Sequence, residues 1–382
     1  MNKSMTTTNF KYRFFGTMIL LLATGLLFNS CSAKDNEPDP STSNIKIMNT
    51  TASFASSFFI DENHHLFACG SNSRNQLAYG QTSPQYLPVK TMDNVSNIAS
   101  GEYHTLILKT DKTLWVVGEN DFGQLGTGNT TNLSSPEKIA DNVIAVATGK
   151  NFSFFVKSDN TLWAMGNNVF GQLGNGNTEY QYTPVKVMDE VQSVVAGAAH
   201  TLILKTDGTL WSCGNNMAYQ LGDGTDAHKS TPVKITSNVI QMSAGNQFSL
   251  FLKSDGSLWG VGFDGAGQMG DNNTTAVKTP KQILNDVKEA KAGYGHTLAL
   301  KKDGTLWVAG LNDSGQLGNS TAGNQGHFEP VMDNVATISA GYYHSIAVKK
   351  DGTVWSTGSN GSGQLGTGTG LSDRNKFEQV KF

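Results

Sequence analysis

Charge is scarce in this chain. Asp, Glu, Lys and Arg make up 15% of its 382 residues, the net charge is −3, and no long run of one sign occurs. Nucleic-acid binding needs a concentrated basic footprint, so the composition argues against it. Cysteine is scarcer still, at three residues, and no Cys/His pair keeps a metal-ligand spacing. The sequence has no GxSxG elbow, HExxH helix or P-loop, and beyond residue 40 no long amphipathic helical pattern. Glycine is in excess: 42 residues, roughly 11% against a norm of about 7%, as many tight turns between short strands require.

The chain is organised by a repeat. Trp115, Trp163, Trp211, Trp259, Trp307 and Trp355 follow one another at intervals of 48 residues, and one step further back stands Phe67. The Gly-Gln-Leu-Gly phrase keeps the same step, starting at Gly123, Gly171, Gly315 and Gly363, with variants at Tyr219 and Gly267. A fixed period in this range means supersecondary units that bury a core only by stacking on their neighbours.

Residues 191–238 serve as the type unit. Val191 to Ala196 is short and β-branched and reads as a doubly buried inner strand. His200 to Thr206 alternates as a second strand, and Asp207-Gly208 supplies the hairpin turn. Thr209 to Cys213 is a third strand with Trp211 as its large core contact, and after a long loop Thr231 to Ile235 is a short edge strand begun by Pro232. Residues 47–382 number 336, seven times 48. Seven units of four antiparallel strands predict an all-β, seven-bladed β-propeller over residues 45–382, closed so that no sheet edge is left bare. Cys69 and Cys213, three units apart, are expected as separate buried thiols.

The pattern AGxxHTLxLKxDGTLWxxGxNxxGQLG resembles the regulator-of-chromosome-condensation repeat family, whose members are seven-bladed propellers. The eukaryotic namesake is a guanine-nucleotide exchange factor that uses a protruding wedge. Every unit here keeps its length, which leaves no such insertion. A bacterial relative is a secreted β-lactamase-inhibitory protein, so the resemblance implies a protein partner.

The first 30 residues read as an export signal, with Lys11 and Arg13 ahead of an apolar stretch from Phe14 to Phe28. That stretch is shorter than the ~20 residues of a membrane span. Cys31 follows, and the arrangement resembles a bacterial lipoprotein signal, although Phe28 and Asn29 replace the usual small residues. It implies lipidation at Cys31 and an outer-membrane, cell-envelope location, with the lipid as the only membrane contact. Residues 31–44, rich in Asp, Pro and Ser, are expected as a flexible tether. Early acidic residues in it (Asp35, Glu37, Asp39) resemble a surface-export signal.

Strand directions place the Ala-Gly-x-x-His corners and the long loops on one face, and the Asp-Gly turns on the other. His104, His200, His296 and His344 share one phase, which is occupied elsewhere by Phe152, Phe248 and Ser56. A position shared by imidazole and phenyl rings predicts packing within the blades rather than a metal site. No nucleophile, base and orienter assemble, so no catalytic residue, metal or cofactor is expected. Two variable residues at each corner bring Phe54, Tyr103, Tyr294, Tyr342 and Tyr343 into one arc across the closure point, and adjacent loops add Phe122, Phe170 and Tyr219. Tyr and Phe on a rigid rim suit protein recognition. The expectation is a monomeric, non-catalytic propeller that binds a protein through its long-loop face. A glycan ligand is the alternative, and an enzyme site in the central channel the third reading.

Overall fold

The computed structural model describes residues 45–368 and 370–382; the expected signal segment, Cys31 and the tether lie outside them. Among the described residues there are 28 strands and no helix. Blade 1 shows the plan: β1 (Ile47–Ala52), β2 (Ser56–Asp61), β3 (Leu66–Gly70) and β4 (Gln85–Met92) pair antiparallel in chain order. Six further four-stranded sheets occupy residues 95–140, 143–188, 191–236, 239–284, 287–332 and 335–379. The protein is a seven-bladed β-propeller.

Burial corrects one expectation about the strands. The innermost strand is not doubly buried: in β1 Ile47 and Thr50 are buried, Met48 is exposed and Asn49 and Thr51 are half-exposed, with a register shift between Ile47 and Asn49. The second strand is the one buried throughout, as in His200–Lys205, where only the terminal lysine is partly exposed. It lies in the middle of its blade with a neighbouring blade on each flank, so both faces lose water. The fourth strand is longer than the sequence suggests, Lys229–Thr236 in blade 4, and it is the exposed edge.

The tryptophans also differ from expectation. They are half-buried rather than core residues. Trp211 packs against the cluster containing Phe154, Val194 and Ile203, while its Nε1 donates to Thr209 Oγ1 at 3.0 Å. That hydroxyl donates in turn to Asp207 at 2.6 Å. The Asp-Gly-Thr-Leu-Trp phrase is thus one hydrogen-bonded turn with the indole as its lid.

Closure between blades 7 and 1 is made by side chains and single bonds, not by a shared sheet. Ile47, Phe59 and Cys69 pack with Ile346, Val348 and Val380, and the Phe382 ring meets Phe59 edge-on at 5.2 Å. Cys69 and Cys213 are free thiols within blades 1 and 4, both held protonated by burial, Cys213 pushed up to about 12.

Candidate binding face

Each corner and the long loop above it are tied by one backbone bond. Ser71 N–H donates to Ala55 O at 2.8 Å, Glu119 to Tyr103 at 2.9 Å, and Ser359 to Tyr343 at 2.7 Å, with the same bond in the other four blades. Corners and long loops therefore share one face. The corners are also linked around the ring, with Tyr294 N–H donating to Tyr342 O at 3.2 Å and Tyr342 N–H to Ser53 O at 3.1 Å across the closing seam.

Small residues make this close approach work. A Cβ on Gly101 would stand 2.6 Å from Gly149 O of the next blade and would also strike its own blade's His104 ring. Only glycine fits wherever a ring follows three residues later. Blade 1 has Ser56 in place of that ring, and there the corner glycine is Ser53.

Above these corners the aromatic arc is assembled. Phe54 meets Tyr103 at 6.0 Å and Tyr342 at 5.0 Å, and Tyr294 meets Tyr342 at 5.5 Å and Tyr343 at 5.1 Å. All five rings are half-buried. Phe54 and Tyr342 also border a cavity of about 120 Å³ at the channel mouth, lined by the small corner residues of all seven blades, an Ala-Gly pair in four of them. Burial raises the Tyr342 and Tyr103 hydroxyls above the usual phenol range, and the neighbouring Glu102 adds to both shifts. Glu102 in turn pairs with Lys150 at 3.1 Å.

The three loop aromatics stand apart from the arc. Phe122 packs on Tyr180 at 5.7 Å and Phe170 on His228 at 5.0 Å, each bridging to the following blade's long loop. Tyr219 lies under Lys278, whose Nζ is 5.0 Å from the ring centroid. Its backbone is left-handed, at φ 66°, where five sister blades have glycine and blade 1 has Asn75. For a bulky side chain that conformation stores strain, which a fold retains where the side chain is needed.

Sequence reasoning missed several exposed apolar side chains on this face. Met217 is 69% exposed, Val169 46% and Phe263 43%, all in the long-loop segments of blades 3 to 5. Their repeat phases hold polar or glycine residues in most other blades, and that contrast was the available signal.

The four in-phase histidines are wholly buried and reach between blades. Burial lowers His104, His200 and His296 to about 3 and His344 to about 4, so all are neutral. Among the described residues no group of three or more His, Cys, Asp or Glu is placed to hold a metal ion. In the channel, Glu289 pairs with Lys291 at 3.3 Å and accepts from Thr337 Oγ1 at 3.0 Å, so both charges are internally matched.

Comparison with known proteins follows this geometry. The model of the RCC1-like domain matches residues 25–237 and 187–381. Among solved structures, human WBSCR16 superposes with a TM-score of 0.75 at 24% identity, covering 83% of this chain and 94% of its own. Prp20p from Saccharomyces cerevisiae gives 0.75 at 22% identity, with 88% of each chain covered. Yeast RCC1 (Prp20), in a structure with Kap60 bound, gives 0.75 at 20% identity, covering 93% of this chain and 91% of its own. No curated protein sequence matches the chain.

Proposed function

This chain belongs to the RCC1-like domain family, and from that premise we propose that it is a non-catalytic module that binds a partner protein through its long-loop face. The observation that carries the reading is the arc of Phe54, Tyr103, Tyr294, Tyr342 and Tyr343 at the channel mouth. Rigid aromatics of this kind bury much area at little entropic cost. Met217 and the strained Tyr219 extend the surface on blade 4. Protein partners accord with the relatives: Prp20p is described by its binding to Gsp1p and histones, and yeast RCC1 by its complex with Kap60. The histidines support binding over catalysis, because each is buried and neutral with its Nε2 committed to an inter-blade contact.

The module is proposed to be held at the cell envelope by a lipid on Cys31. Labelled fatty acid should enter the wild-type protein and not Cys31→Ser; equal labelling contradicts the anchor. For the face, a photo-crosslinking residue at position 343 or 217 should trap a partner in cells, and one at Ile240, 53% exposed on the opposite end of its blade, should not. Trapping at 240 alone would reverse the assignment, and loss of trapping when free glycans are added before irradiation would favour a sugar ligand.

A further inference from the structure

One repeat position is held by asparagine in six blades and by Asp264 in blade 5. In all seven the side-chain Oδ1 accepts the backbone N–H five residues on, from Leu125 at 2.9 Å in blade 2, Leu317 at 3.0 Å in blade 6 and Met269 at 2.9 Å in blade 5. In the asparagine blades the other atom, Nδ2, donates across the long loop to a backbone carbonyl. Asn120 reaches Asn129 O at 2.9 Å, Asn168 reaches Asn177 O at 3.0 Å, Asn216 reaches Thr225 O at 2.8 Å and Asn312 reaches Thr321 O at 3.1 Å. This amide is the peg on which each long loop hangs.

In blade 5 the peg is a carboxyl oxygen. Asp264 is fully buried, and its Oδ2 has no hydrogen-bond partner. The corresponding loop carbonyl belongs to Asn273, nine residues on. The loop adds a second acid, Asp271, seven residues on, where Asn168, Asn216 and Asn312 find another oxygen acceptor for Nδ2. An ionised Asp264 would thus present buried negative charge to the acceptor oxygens that the asparagine amides satisfy in the other blades. The surrounding charges are few: Asp271, its partner Lys281 at 2.5 Å, and the exposed His327, which forms a backbone bridge with Asp271 from blade 6.

We propose that Asp264 is a proton-binding site: as the neutral acid its O–H donates to the 271–275 loop as the asparagines do, and ionisation releases that loop. The raised carboxyl, pushed up to about 7 mainly by burial and then by Asp271, accords with this placement. The loop follows Phe263 on the binding face, so blade 5 becomes its pH-sensitive element.

The sign of the effect is fixed. A carboxyl whose folded pKa lies above its unfolded value of about 4 stabilises fully below that value, and loses the contribution as pH rises toward about 7. The test is equilibrium unfolding of the full chain and of Asp264→Asn across that range. The unfolding constant of the wild type, relative to the variant, should rise by up to about tenfold per pH unit and then level off. A constant ratio would overturn the proposal. So would stabilisation of the wild type alone by millimolar calcium at pH 8, which would make the site a metal site. Should the variant not fold, hydrogen exchange in the wild type decides. The protection factor of Asn272 N–H, which ties the loop to Gly326 O at 2.7 Å, should fall as Asp264 ionises; no change would count against the proposal.

Discussion

His104 of blade 2 donates from Nε2 to Ser153 Oγ of blade 3 at 2.9 Å, and that serine spends its own proton on Gln124 O at 2.8 Å. The serine proton being committed, the imidazole carries hydrogen on Nε2, and its Nδ1 is left without a partner. The same latch joins His200 to Ser249, His296 to Ser345, and His344 to Ser57 across the seam. Where the ring is Phe152 or Phe248, or the residue is Ser56, the next blade has Thr201, Thr297 or Thr105 instead, and each threonine still donates to the glutamine carbonyl. Serine, lacking the γ-methyl, leaves its oxygen open to the imidazole.

The pairing predicts a swap. His200→Phe with Ser249→Thr reproduces the pair found between blades 3 and 4 and should fold with a melting temperature close to wild type. Ser249→Thr alone should destabilise by about 1–3 kcal/mol, through a crowded imidazole left without its acceptor. A double-mutant cycle on thermal unfolding reads the coupling, and additive effects would show the two positions to be independent.

Acid should unfold the protein through these histidines. Their folded pKa values lie below the ordinary histidine range, so between about pH 6.5 and 3 the unfolded chain binds more protons and stability falls as pH falls. Each contributes at most about 1.4 kcal/mol per pH unit. The His200→Phe, Ser249→Thr protein should show a shallower acid limb in urea unfolding; an unchanged limb would place the protons elsewhere.

Gly293→Ala should be among the most damaging single substitutions. The added Cβ would meet the His296 ring and lie 2.6 Å from Gly341 O, in a ring where no blade can shift alone. A loss of about 3 kcal/mol or more is expected in chemical denaturation. A near-neutral result would mean that the corners do not touch as described.

Much of this architecture was legible in the sequence because a strict period reports each contact seven times. The glycine corner, the Asp-Gly turn and the closure point could all be read from phase alone. Two things could not. Which strand loses both faces to water depends on neighbouring blades, so the inner strand looked more buried than β1 is, and the tryptophans looked like core. The arc residues were found from corner variability, yet Met217, Val169 and Phe263 were passed over, because exposure of a side chain in a long loop depends on how the loop folds back. Asp264 was also in plain view as one acid among six asparagines. Its meaning needed the structure, which shows what those amides hold.

Tyr219 sets stability against function. Tyr219→Gly removes a bulky residue from φ 66°, so the protein should gain about 1 kcal/mol or more in thermal unfolding. Under the binding reading the same change weakens partner capture. A gain in stability with undiminished binding would make the tyrosine an interblade filler resting on Lys278.

The most direct test of the binding face is partner affinity, measured by titration, for wild type, Tyr343→Ala, Met217→Asp and Ile240→Asp, with melting temperature recorded for each. The account predicts at least a tenfold loss for Tyr343→Ala and Met217→Asp with little change in melting, and no loss for Ile240→Asp. Full affinity in both long-loop variants, or a loss confined to Ile240→Asp, would contradict it.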